Sequence, residues 1–230
     1  MTSMSDRTIK RRKPCVLHPI KEASRPRSGW ISFNWSGYAK RKTTHPYRRI
    51  SADWTVPYVL PSSRNSYSSA WIGIDGFANT DLIQTGTAHD WIQGKPVYYA
   101  WWEILPATET MIPNPVSPGD CMRGIITKLT HHSWCISLIN LTKGWTFRTI
   151  QRYTGPQSSA EWIVEAPSVG GSIASMSRLS PVAFRNCRLN GRPPAFYTRD
   201  KGILIQGQRI LSIPGSPNCC RDGFVVRRAH

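Results

Sequence analysis

The sequence predicts an all-β protein built as a sandwich of two packed antiparallel sheets, and three observations predict it. From Trp30 onward the chain falls into short runs rich in aromatic and β-branched residues, separated by Pro, Gly, Ser and Asn. Helix periodicity and helix capping signals are nearly absent. The runs number about thirteen, more than an open twisted sheet holds comfortably before it splits into two layers. A chain of 230 residues, 40% apolar and with ten Trp, buries a core of that size.

In order, the expected strands are Trp30 to Tyr38, Ile50 to Val56, Ser69 to Ile74, Asp81 to Thr85, Val97 to Ile104, Asp120 to Leu129 and Trp134 to Asn140. Then come Trp145 to Tyr153, Ala160 to Glu165, Val182 to Arg188, Ile203 to Gln206, Ile210 to Ile213 and Gly223 to Arg227. Hairpin turns are expected at Asn140 to Gly144 and at Gln206 to Gln208, each through a glycine. Asp75-Gly76 reads as a turn dipeptide, Asp90 as a second turn, and Gln84 as the amide that closes a strand just before Gly86, where the backbone either turns or is approached closely. Met1 to about Ser28 carries Lys-Arg-Arg-Lys and three prolines without periodicity, so residues 1–28 read as a solvated, disordered basic tail or removable leader ahead of a domain over 29–230.

The formal charge of +17 is uneven: +11 over residues 1–49, −2 over 50–166 and +8 over 167–230. Nine of the thirteen carboxylates fall in the middle stretch, which makes these scarce acids candidates for chemistry, and the basic ends read as solubilising or polyanion-binding surface. No apolar run reaches membrane-spanning length, and the basic opening is not followed by an apolar signal segment. The six cysteines form no CxxC pair, which argues against a zinc site and leaves free thiols and one or two disulfides as equal readings. Ser36 and Ser180 lie in no GxSxG context, and neither a phosphate loop nor HExxH occurs, so serine hydrolase, nucleotide-binding and zincin functions lose support.

Alternation places Glu161, Ile163 and Glu165 on one face of their strand and Trp162 and Val164 on the other. Glu103 shares its face with Trp101 and Leu105, and an acid among large aromatics is costly unless paired or used. Read alone, each is more often a salt-bridged sheet carboxylate than a catalyst.

Seven segments occur together in order: Asn34-Trp35-Ser36-Gly37-Tyr38-Ala39, Ser51 to Pro57, Ala70-Trp71-Ile72-Gly73-Ile74-Asp75-Gly76, Leu82-Ile83-Gln84-Thr85-Gly86, Tyr99-Ala100-Trp101-Trp102-Glu103, Pro118-Gly119-Asp120, and Ser159-Ala160-Glu161-Trp162-Ile163-Val164-Glu165. In that order the chain resembles the eqolisin family of glutamic peptidases, from about Trp30 to the Asp222 to Val226 ending. The resemblance implies two antiparallel seven-stranded sheets in a concanavalin-like sandwich, and an acid-acting, extracellular endopeptidase that cleaves polypeptides as a monomer without metal or organic cofactor. Carried over by motif, the catalytic Gln is Gln84 and the catalytic Glu is Glu165. Trp71, Asp75, Asp90, Trp101 and Glu103 fall on positions that line or support the substrate cleft. A carboxyl with a reference pKa of ~4.3 serves as general base and then acid at roughly pH 3 to 5, and an amide donates to an oxyanion at any pH.

The basic tail also carries an expectation: docked over the acidic cleft near neutral pH, it would be released as the carboxylates protonate. Competing classes are a glycoside hydrolase using Glu103 with Glu165, a non-catalytic carbohydrate-binding sandwich using exposed tryptophans, and a nucleic-acid binder contacting the basic ends.

Overall fold

A computed structural model gives the fold and describes residues 29–42 and 44–229. The expectations for the tail over 1–28, and for Cys15, lie outside the described residues. The first strands are β1 (Trp30–Ser32), β2 (Trp35–Arg41), β3 (Arg49–Thr55), β4 (Ser69–Ile74), β5 (Ile83–Ile92), β6 (Lys95–Ile104) and β7 (Thr110–Ile112). They are followed by β8 (Cys121–Lys128), β9 (Ser133–Asn140), β10 (Trp145–Arg152), β11 (Ser159–Glu165), β12 (Ser168–Val169) and β13 (Ser172–Ile173). The last are β14 (Val182–Leu189), β15 (Lys201–Gln206), β16 (Arg209–Pro214) and β17 (Phe224–Arg228), with one 3-10 turn at Thr198–Asp200.

The strands form two layers. One runs β10-β9-β8-β3-β14-β17, the other β2-β11-β4-β5-β6-β7, and β16 and β15 carry the hydrogen-bond ladder from one layer into the next along a single side. The sandwich expected from the sequence is present, with this addition: its layers are hydrogen-bonded at one side because β16 pairs with both β17 and β15. Among the described strands every pairing is antiparallel except that of β1 with β15.

Between the layers lies one apolar core that includes Tyr38, Trp54, Ile72, Trp162, Phe184 and Phe224. Two indoles tie the layers together: Trp54 Nε1 donates to Thr87 Oγ1 at 2.9 Å, and Trp162 Nε1 donates to the Ser51 carbonyl at 3.2 Å. A buried indole needs such an acceptor, so each tryptophan fixes a layer spacing as well as filling it.

Two of the expected strands differ from the observed ones for identifiable reasons. The first strand breaks in two at Phe33 and Asn34, where the Ser32 hydroxyl accepts from the Asn34 and Trp35 amides and turns the chain. The fourth does not end at Thr85 but runs on as β5 to Ile92, so Asp90 sits inside a strand rather than at a turn. Gly86 marks a close approach and not a reversal, since a Cβ there would stand 2.4 Å from the Ala70 carbonyl oxygen of β4. The short strands β7, β12 and β13 went unpredicted. Both expected hairpin turns form, with Gly144 at φ 72° and Gly207 at φ 60°. Cys121, Cys135, Cys187, Cys219 and Cys220 are free thiols.

Candidate active site

On the outer face of the second layer lies a smaller apolar cluster of Trp35, Trp71, Leu82, Ala88, Tyr99, Trp101 and Ile163. Cross-strand partners share a face, so the register arranges this surface in rows. Trp35, Glu165, Ser69, Ala88 and Tyr99 form one row, and Ile163, Trp71, Gly86 and Trp101 the next. A third row holds Glu161, Gly73, Gln84 and Glu103. Glu165 and Gln84 therefore stand on one face and on a diagonal, with Trp71 and Gly86 between them.

Glu165 closes β11 and is nearly buried. Trp71 Nε1 donates to its Oε2 at 2.7 Å, and Asn34 Nδ2 reaches its Oε1 at 3.4 Å. The amide of Asn34 is oriented for that contact because the Ser32 hydroxyl donates to Asn34 Oδ1 at 2.8 Å, which leaves the NH2 group toward the carboxylate. Trp35 packs edge-on against Trp71 with ring centroids 4.9 Å apart and holds the indole in place. Asn34 and Trp35 were quoted within a motif but not picked out as site residues, and the motif Asn34-Trp35 was the signal that marked them.

Gln84 and Glu103 are direct cross-strand partners on β5 and β6. Gln84 Nε2 donates to Glu103 Oε2 at 2.5 Å, while Gln84 Oε1 is buried with no hydrogen-bond partner among the described residues. An orphaned buried carbonyl oxygen is costly unless something fills it, so this amide is poised for a further donor. Trp101, two residues before Glu103, likewise buries its indole Nε1 without an acceptor. Glu103 is thus engaged with an amide and is not the lone second acid that a glycoside hydrolase needs.

The other expected cleft residues take different positions. Asp90 lies on the same face of β5 as Gln84 but six residues further along, and its Oδ1 accepts from the Ser68 amide at 3.1 Å. Asp75 is wholly buried past the end of β4 at φ 68°, and its carboxylate is occupied by Tyr153 Oη at 2.6 Å and by the amides of Gln157 and Ser158 at 2.8 and 2.7 Å. Burial, together with the neighbouring Asp75 charge, pushes the Tyr153 phenol well above its ordinary range. Glu161 is also wholly buried, and burial raises its carboxyl well above the ordinary carboxylate range although the nearby Ser159 side chain acts the other way. Among the described residues no group of three or more His, Cys, Asp or Glu side chains is placed to share a metal ion.

Residues 33–204 match the Peptidase A4 family. The chain belongs to that family. Aspergillopepsin-2 of Aspergillus niger is 26% identical over 182 residues, which cover 67% of this chain and 63% of that protein. The chain thus spans less than two thirds of the length of this curated relative.

Among solved structures, scytalido-glutamic peptidase with a transition state analog inhibitor superposes with a TM-score of 0.73 at 21% identity, covering 85% of this chain and 98% of that one. SCP-B, a member of the eqolisin family of peptidases in a complex with the tripeptide Ala-Ile-His, superposes at 0.68 and 22% identity, covering 85% and 98%. Aspergilloglutamic peptidase from Aspergillus niger gives 0.63 at 24%, covering 71% of this chain and 99% of that one. The eqolisin resemblance read from the seven motifs and the family's β-sandwich fold are both present.

Proposed function

We propose that this protein is a glutamic endopeptidase that hydrolyses polypeptides in acid, with Glu165 and Gln84 as its catalytic pair. The observation that carries this reading is the pairing of Trp71 Nε1 with Glu165 Oε2 on the same sheet face as Gln84, whose amide is held by Glu103. Membership of the Peptidase A4 family supports it.

Peptide hydrolysis needs a base for water, a donor for the oxyanion and an acid for the leaving amine. Ionised Glu165 takes a proton from water, and the hydroxyl oxygen bonds to the carbonyl carbon. The carbonyl electron pair moves onto its oxygen as an oxyanion. A primary amide has two N–H bonds, so the one that Gln84 gives to Glu103 leaves another for that oxyanion. The unfilled Gln84 Oε1 accepts from the attacking water. Collapse returns the electron pair to the carbonyl, breaks the C–N bond and passes the proton on Glu165 to the departing nitrogen. The amide does not titrate, so the acid range is set by carboxyl groups, Glu165 as the base among them.

Digestion of a denatured protein from pH 2 to 7, with an inhibitor of aspartic peptidases present, tests the reading. Cleavage confined to acid, insensitive to the inhibitor and abolished by both Glu165→Gln and Gln84→Ala is the expected result. Undiminished cleavage by either variant overturns it.

A further inference from the structure

Among the described cysteines, only Cys219 and Cys220 bring their sulfurs together: both side chains are exposed and their Sγ atoms lie 3.9 Å apart. They are the two central residues of a turn that the Arg221 amide closes onto the Asn218 carbonyl at 2.9 Å. The turn is fastened around the pair. The Asn218 amide donates to the Gly223 carbonyl at 2.8 Å, Asn218 Nδ2 donates to Asp222 Oδ1 at 2.9 Å, and the Asp222 amide donates to Asn218 Oδ1 at 3.0 Å. Arg188 Nη1 lies 2.6 Å from Asp222 Oδ2, and the Cys187 amide donates to the Asp222 carbonyl at 2.9 Å, so the turn is anchored to β14. Two thiols are thus held side by side at the surface on an anchored backbone.

A direct bond between these sulfurs is strained. Consecutive Cα atoms are about 3.8 Å apart across a trans peptide, whereas disulfides span about 4.4–6.8 Å between Cα atoms. One atom seated between the sulfurs relieves that constraint, because it lengthens the bridge by a bond. Thiol ligands select a soft centre for that position. Zinc and other ions that need thiolates compete with protons for the sulfurs, and the neighbouring Cys219 thiol holds the Cys220 thiol above its ordinary range. An oxide of trivalent arsenic meets no such obstacle, since its own oxygen takes up the thiol protons.

We propose that Cys219 and Cys220 form a dithiol site that binds one trivalent arsenical. Two As–S bonds form, the arsenic–oxygen bond breaks, and both thiol protons leave with that oxygen as water. Arsenic stays trivalent and neither sulfur is oxidised, so the step needs no other reactant. The first As–S bond makes the second one intramolecular, which strengthens binding about 100-fold or more over a single thiol. The pair precedes β17 in the first layer, whereas Glu165 and Gln84 lie on β11 and β5 of the second, and the inference is independent of the peptidase reading.

Titration of the full chain with phenylarsine oxide at pH 6, in excess 2-mercaptoethanol and read by intact mass spectrometry under non-denaturing conditions, tests the proposal. The monothiol competes for arsenic at single cysteines and leaves a chelating pair occupied. One phenylarsenic group per chain is expected. Cys219→Ser and Cys220→Ser are each expected to weaken binding about 100-fold or more, because each leaves a single thiol. Both cysteines are exposed, so the variants keep their fold, which unchanged far-ultraviolet circular dichroism checks. Cys15→Ser and Cys121→Ser are expected to bind as the natural chain does. The absence of bound arsenical, undiminished affinity in Cys219→Ser or Cys220→Ser, or an equal loss in Cys15→Ser or Cys121→Ser overturns the proposal.

Discussion

Gln84 and Glu103 face each other across β5 and β6, and the amide nitrogen of one lies 2.5 Å from a carboxylate oxygen of the other. This contact decides which way the amide points. Held by Glu103, the nitrogen end of Gln84 is fixed, and the amide oxygen is left with an unfilled bond. A glutamine without that restraint rotates about a broad terminal torsion and presents either end.

In Glu103→Gln the restraint loses its charge, and the two amides settle in either orientation. We expect kcat to fall about tenfold with KM little changed, the range seen when an orienting partner of a functional group is removed. Gln84→Ala removes the donor itself and is expected to cost about 100- to 1000-fold in kcat. Steady-state kinetics on a chromogenic peptide at pH 4 gives both numbers. A larger loss in Glu103→Gln than in Gln84→Ala would falsify the positioning role.

Trp71→Phe keeps a ring to pack on Trp35 but removes the N–H that donates to Glu165 Oε2. A hydrogen bond to a charged group contributes about 1.5–3 kcal/mol, so kcat/KM is expected to fall about tenfold or more. Steady-state kinetics at pH 4 checks it, and an unchanged kcat/KM would show that the Trp71 N–H has no part in the reaction.

The parts of the site that the sequence revealed are those encoded within single strands. Glu161, Ile163 and Glu165 alternate in one run, and Trp101 and Glu103 in another, so their faces follow from the period of two alone. Contacts between strands were not legible in that way. Trp71 and Glu165 are 94 residues apart and Gln84 and Glu103 are 19 apart, and only the register of β4, β5, β6 and β11 brings each pair together. Gly86 left two readings open for a related reason. A glycine there marks either a turn or a close approach of backbone, and the choice of the second is made by β4 rather than by β5. Asp75 reads locally as a turn former, and its partners Tyr153, Gln157 and Ser158 lie 78 to 83 residues downstream.

The wholly buried carboxylate of Asp75 holds a loop. It accepts two backbone amides and a phenol, and removing it leaves those donors buried and unmet. Asp75→Ala is expected to destabilise the protein by about 3 kcal/mol. For a chain of this size that lowers Tm by roughly 6–12 °C. Asp75→Asn suits the left-handed backbone but trades an acceptor oxygen for a donor, and is expected to fall between. Thermal denaturation followed by circular dichroism checks the order. An unchanged KM in whatever remains folded separates a loop anchor from a group that binds substrate.

Glu161 gives the fold a pH dependence of definite sign. Burial, with Asp75 nearby adding to it, raises its folded carboxyl above the ordinary range, so the folded chain keeps the proton where the unfolded chain gives it up. The stability tied to that proton is complete below the unfolded value of ~4.3 and is lost as pH rises through the folded value. Asp222 acts in the opposite sense: Arg188 holds it below its usual range, so its contribution is present above the unfolded value and is lost toward strong acid. Glu161→Gln leaves Asp222 and every other titrating group in place and removes only the first effect. Tm at pH 7 relative to pH 3 is therefore expected to be higher in the variant than in the natural chain, by about 2–4 °C for each kcal/mol removed. A buried amide there costs the variant a constant amount at both pH values, so it does not enter the difference. Parallel Tm curves for the two proteins across pH 3 to 7 would show that Glu161 ionises in the folded chain as readily as in the unfolded one.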